Sequence, residues 1–127
     1  MGVVCCYNIF IYKSEGKLRL IDTNSLGNIR IWDFHSSELL NKICTDIYDD
    51  LSACLWNDQY LLFGGNKYII EVYDLNKKKS VNTLFNKNEQ KKIVNIKRIN
   101  HPLYGTSLIF CDKNSIQLSQ IIETESK

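Results

Sequence analysis

Apolar residues recur along this chain in short runs, several of them alternating with polar residues, and the runs are separated by clusters of turn formers. The clearest example is residues 20–34, LIDTNSLGNIRIWDF. Leu20-Ile21 leads into Thr23-Asn24-Ser25-Leu26-Gly27-Asn28, a cluster rich in turn-forming residues. Ile29 and Ile31 then alternate with Asn28 and Arg30, the two-residue period of a strand with one buried face. The segment predicts a β-hairpin ending on Trp32-Asp33.

The same reading extends in both directions. Residues 3–12 are β-branched and aromatic, a strand by composition, and 13–17 form a polar turn. Strands follow at 18–22, 29–33 and 38–43, with turns at 23–28 and 34–37. A second set is expected at 51–56, 60–63, 68–74 and 80–85, with turns at 57–58, 64–67 and 76–79. A third is expected at 93–99, 108–111 and 116–122, with a longer loop at 100–106 and a turn at 112–114.

The sets repeat. Laying EVYDL over RIWDF places Tyr73 on Trp32 and Asp74 on Asp33, a spacing of 41 residues (73 − 32). Ser119-Gln120 occupies that place in the third set, 46 residues further on (119 − 73). A period of about 40–45 residues with four strands per unit marks propeller blades. Helical repeats of this length need apolar residues at i, i+3 and i+4 over longer runs, which no segment here has. A β-sandwich could use the same strands, but would not require them to repeat.

With the Gly27 turn and IRIWD, then Gly64-Gly65 and EVYDL, then IQLSQ at 116–120, the chain resembles the WD-repeat β-propellers over residues 5–122. RINHPLYGTSLI, at 98–109, reads like an inter-strand loop of such repeats. The resemblance implies an all-β fold: a partial β-propeller of about three four-stranded antiparallel blades, near 3–43, 51–85 and 93–122, the last lacking its outer strand. It also implies that Trp32 and Tyr73 are buried between blades. Asp33 and Asp74, at strand ends, can accept backbone N–H bonds of the next turn. The family's GH dipeptide is absent, with Tyr48-Asp49-Asp50 and Gln90-Lys91-Lys92 in its places. The family's turn aspartate is replaced by Leu26, Lys67 and Lys113. Stability is therefore expected to rest on strand ladders and apolar packing rather than on the family's His–Asp network.

The implied function is protein–protein interaction or scaffolding, with the rigid sheets carrying variable loops. By resemblance, the binding face falls on loops 45–50, 64–67, 86–92 and 112–114. Its candidate contacts are Asp49, Asp50, Asn66, Lys67, Lys91, Lys92 and Lys113. A non-catalytic segment of a larger enzyme and a β-sandwich binding domain are the alternatives.

Composition narrows the chemistry. A formal net charge of +2 is too small to imply nucleic acid or an anionic membrane as partner. Lys77-Lys78-Lys79, Lys87 and Lys91-Lys92 have no interleaved aromatics on which bases could stack. Cys5, Cys6, Cys44, Cys54 and Cys111 form no C-x-x-C pair and have no nearby histidine. Neither a disulfide framework nor a zinc site is expected, so the thiols should be free, in a reducing, cytoplasmic compartment. All but Cys6 have apolar neighbours and are expected in the core. No apolar run approaches the ~20 residues of a membrane span. Gly2 with Cys5-Cys6 raises an acylated N-terminus, although Cys6 stands where that signal needs Ser or Thr.

No constellation suggests catalysis or a cofactor. His35 and His101 fall in expected turns. Asp49 and Asp50 point apart on an extended chain. Gly64-Gly65-Asn66-Lys67 lacks the GK[ST] of a phosphate loop. About three blades also fall short of the four to eight that close a propeller ring. The expectation is a fragment, a truncated product or part of an oligomeric ring, open at both flanks. Ile9 and Ile11 should lie on one flank, Ile116 and Leu118 on the other, and self-association should follow.

Overall fold

A computed structural model describes residues 6–45, 51–65, 69–85, 95–111 and 116–119. Among them the chain is all strand and turn, with no helix. The first sheet contains β1 (Cys6–Ser14), β2 (Lys17–Asn24), β3 (Asn28–Asp33) and β4 (Leu39–Cys44). The second contains β5 (Ser52–Leu55), β6 (Tyr60–Gly64), β7 (Ile69–Asp74) and β8 (Lys79–Phe85). The third contains β9 (Asn95–His101), β10 (Gly105–Cys111) and β11 (Ile116–Ser119). Each sheet is an antiparallel meander in which sequence neighbours pair. Three sheets packed in succession are a propeller arrangement and exclude the two facing sheets of a sandwich.

The repeat seen in the sequence is reproduced in backbone detail. The β3–β4 ladder slips between Ile31 and Trp32, and the β7–β8 ladder slips between Val72 and Tyr73. Ser37 and Lys78 adopt left-handed backbone, with φ of 60° and 58°. Each closes its turn on the strand-end aspartate: Ser37 N–H donates to the Asp33 carbonyl at 3.0 Å, Lys78 N–H to the Asp74 carbonyl at 2.8 Å. The two positions are 41 residues apart (78 − 37), the spacing of Trp32 and Tyr73.

Alternation along the strands builds two cores. Tyr12, Ile21, Ile29 and Ile31 of the first sheet pack on Leu51, Ala53, Leu61, Phe63, Tyr73 and Leu75. The other face of the second sheet packs Cys54, Trp56, Leu62 and Ile70 on Ile96 and Leu108 of the third. The second sheet is thus covered on both faces, and its central strand β6 is nearly continuous apolar sequence, Leu61-Leu62-Phe63, all buried. Polar bonds cross the same seams. Lys13 N–H donates to Asp58 Oδ1 at 3.3 Å, and Ile96 N–H to Ser52 Oγ at 3.1 Å. Gly64 is required where sheets and strands crowd: a Cβ there would lie 2.7 Å from the Ile69 carbonyl oxygen.

Two expectations are corrected. The longer loop at 100–106 is a tight hairpin turn. β9 and β10 run up to His101 and Gly105, which pair with each other. The imidazole at His101 replaces the missing turn chemistry, with Nδ1 accepting the N–H groups of Leu103 (3.1 Å) and Tyr104 (3.3 Å). Gly105 supplies the φ of +73° that closes the turn. Cys44 is exposed at the end of edge strand β4, not in the core, whereas Cys54 is buried as expected.

Candidate interaction surface

In the first sheet, register puts two unlike surfaces back to back. Phe10, Tyr12, Ile21, Ile29 and Ile31 face the second sheet. Ile9 and Ile11 sit opposite Asp22 and Leu20, which sit opposite Arg30 and Trp32, and this set faces away. Among the described residues no sheet covers it. Ile9 is 63% exposed and Ile11 54%. Leu39, opposite Trp32 on β4, and neighbouring Leu40 are also exposed.

Trp32 is accordingly only half-buried, which corrects the expectation that it packs between blades. Tyr73, at the matching position of the second sheet, is buried because the first sheet lies on it. Its hydroxyl accepts from Asn41 Nδ2 of β4 at 3.4 Å, and burial pushes the phenol upward from its ordinary pKa.

A polar cluster occupies the middle of the open face. The Asp22 carboxylate is buried and receives Arg30 Nε at 3.1 Å, a second Arg30 contact from Nη2, and Trp32 Nε1 at 2.8 Å. The Arg30 guanidinium also lies 5.2 Å from the Trp32 ring centroid. The second sheet has Phe63 and Glu71 at the positions of Asp22 and Arg30. A sequence signal for this cluster was present. Once Gly27 fixes the hairpin, Asp22 and Arg30 are a directly opposed, oppositely charged pair.

The strand-end aspartates organise the opposite rim of the sheets. Asp74 is buried and accepts the N–H groups of Asn76 and Lys77, each at 2.9 Å, and Gln59 Nε2 at 3.2 Å. Burial alone would raise its pKa; these donors outweigh burial and hold it below the ordinary value. Asp33 is also held low, chiefly by the Ser36 hydroxyl at 2.7 Å, and pairs with Arg19 at 3.1 Å. An open, polar cleft of about 510 Å³ lies on this rim, lined by Lys13, Ser14, Glu15, Asn57, Asp58, Gln59 and Asn76.

Asp49, Asp50, Asn66, Lys67, Lys91, Lys92 and Lys113 all lie outside the described residues. His35 stands in the turn after β3 and His101 ends β9, far apart in the chain, and no group of His, Cys, Asp and Glu able to hold a metal occurs among the described residues. Burial pushes the Cys54 thiol up to about 12, which keeps it protonated at neutral pH. No helix of the described residues is long and apolar enough to cross a membrane.

No family model and no curated protein matches the chain. Among solved structures it is similar to the crystal structure of the Myceliophteria thermophila Cps50 (Swd1) beta-propeller domain. The TM-score is 0.56 at 12% identity, over 91% of this chain. The chain spans 41% of the length of that domain. At this identity the likeness speaks for the fold alone, and the fold is that of a β-propeller segment.

Proposed function

We propose that this chain is a protein-interaction module, a WD-repeat-like scaffold segment that works by presenting sheet faces and loops to other proteins in a reducing compartment. The observation that carries the reading is the open apolar face of the first sheet, where Ile9 and Ile11 are exposed beside half-buried Leu20 and Trp32. Contiguous apolar surface of this kind marks an interaction site on a folded domain. Binding there needs no mobile element, because the face is the back of a packed sheet.

A photoreactive amino acid at Ile11 tests the reading. It is expected to capture protein, and the same group at Thr83, exposed on edge strand β8, is not. Adducts that disappear on Ile9→Glu support a specific protein contact. Equal labelling from both positions, or no protein adduct from Ile11, contradicts it.

A further inference from the structure

We infer that Asn41 and Asn82 lock the outer edges of the first two sheets against strand addition, each by occupying a mid-strand N–H that an incoming strand would need. The inference stands apart from the interaction-module reading, because it concerns sheet edges and not the open face. β4 and β8 end their sheets, and among the described residues neither has a further strand beside it. The opposite edges, β1 and β5, are approached by β5 and β9 of the neighbouring sheets. An edge strand turns unpaired N–H and C=O groups outward and is a template for pairing with another chain. These two edges also carry exposed apolar side chains, Leu39 and Leu40 on β4 and Val81 on β8. Pairing with the same edge of a second copy would therefore bury apolar surface as well as satisfy backbone.

Register shows which groups point outward. Bonded and non-bonded pairs alternate along an antiparallel ladder. Thr45 N–H donates to the Gly27 carbonyl at 2.8 Å, at the end of the β3–β4 ladder. Counting from there, Asn28 and Cys44 are a non-bonded pair, Ile29 and Ile43 a bonded one, and Arg30 and Lys42 again non-bonded. The Lys42 N–H thus faces away from β3. It donates to Oδ1 of Asn41, the residue before it, at 2.8 Å. The second sheet repeats the arrangement. Thr83 sits opposite Glu71 as Lys42 sits opposite Arg30, and its N–H donates to Asn82 Oδ1 at 2.8 Å. The two asparagines are 41 residues apart (82 − 41), the spacing of Trp32 and Tyr73.

A side-chain amide that satisfies a mid-strand donor competes with any carbonyl that a new strand brings. Adding a strand to either edge requires breaking that bond and turning the asparagine aside. Two further features act in the same direction. The residue left over in each ladder slip, Leu40 or Val81, immediately precedes the asparagine, so the edge is twisted beside its exposed apolar side chains. Lys42 and Lys79 are exposed on the same edges, where a charge opposes pairing with a second copy. Asn41 is also held by the core, since its Nδ2 donates to the Tyr73 hydroxyl at 3.4 Å. Asn82 is exposed, so its lock can be removed without disturbing a seam.

Asn82→Val tests the lock. It deletes the acceptor and leaves a residue suited to a strand, and at an exposed position it should keep the parent's melt. Asn82→Ala takes its place if the melt changes. Thr83→Val is the control, because it makes the same edge more apolar and keeps Asn82. Parent and variants all carry Ile11→Glu, which puts a charge on the leading face (the side of the first sheet turned away from the second). Association through that face then does not enter. In the dilute chains, amide exchange by NMR is expected to show the Thr83 N–H about two- to tenfold less protected, relative to its intrinsic rate, in Asn82→Val than in the parent or control. The Val72 N–H should be unchanged. At micromolar concentration, sedimentation and thioflavin fluorescence should show Asn82→Val forming strand-paired assemblies in which the Thr83 N–H is protected again. The parent and Thr83→Val should stay dispersed. Unchanged Thr83 exchange in dilute Asn82→Val would overturn the inference. So would equal assembly of Asn82→Val and Thr83→Val, assembly of neither, or assemblies that leave the Thr83 N–H unprotected.

Discussion

Trp32 and Tyr73 are the same residue position in two consecutive sheets, yet one is half-buried and the other buried. Each closes the third strand of its sheet, beside the same ladder slip and before the same aspartate-capped turn. The difference comes from outside the repeat: a sheet lies on Tyr73, and among the described residues no sheet lies on Trp32. Local sequence determines which face a side chain takes. Burial depends on what stands next to that face, which is why repeats need neighbours.

The largest expected effect breaks this pair apart. Tyr73→Ala removes a buried aromatic from the inter-sheet core and should cost about 3–5 kcal/mol. Trp32→Ala removes a half-buried ring, one hydrogen bond to Asp22 and a cation–π contact, and should cost about 1–2 kcal/mol in the dilute chain. Denaturant titrations of the two variants give the order, and equal costs would contradict the comparison. Next in size is Gly64→Ala. Its Cβ would press on the Ile69 carbonyl in the middle of the doubly covered sheet, and the overpacking should cost about 1–3 kcal/mol by the same titration. A neutral result would mean that β6 and β7 are spaced more widely than described.

The third effect concerns acid. Asp74 has a folded pKa below its unfolded value, so its contribution is fully present above the unfolded value of about 4. That contribution is lost as pH falls through the lowered folded value. The melting temperature should therefore drop on acidification below about pH 4, and Asp74→Asn should flatten that drop. An unchanged acid limb in the variant would remove Asp74 from the account. The smallest effect is a gain. Lys78 holds left-handed backbone without being glycine, so Lys78→Gly should stabilise by about 0.5 kcal/mol, the strain relieved less the added chain entropy. Ser37→Gly should behave alike, since the two turns are equivalent.

Much of the fold was legible in the sequence because two-residue alternation and turn chemistry both act locally. The strands around Gly27 and the 41-residue repeat follow from that. The turn after His101 was not legible, since an imidazole accepting two backbone N–H groups does the work usually signalled by Asn or Asp. Cys44 misled because apolar neighbours in sequence do not make a residue buried on an edge strand. Trp32 misled for the reason its comparison with Tyr73 makes plain. The Asp22–Arg30 pair was legible only after the hairpin register was fixed, because opposition across strands is a property of the pairing.

The open leading face is the central claim, and the chain's two tryptophans report on it directly. Trp56 is buried between the second and third sheets, whereas Trp32 lies on the open face. Acrylamide quenching of the dilute chain, in Trp56→Phe and Trp32→Phe variants, isolates each indole in turn. The account predicts that Trp32 emits to the red of Trp56 and is quenched several-fold more strongly. Equal, weak quenching of both would show that Trp32 is covered within a single chain, and would contradict the open face.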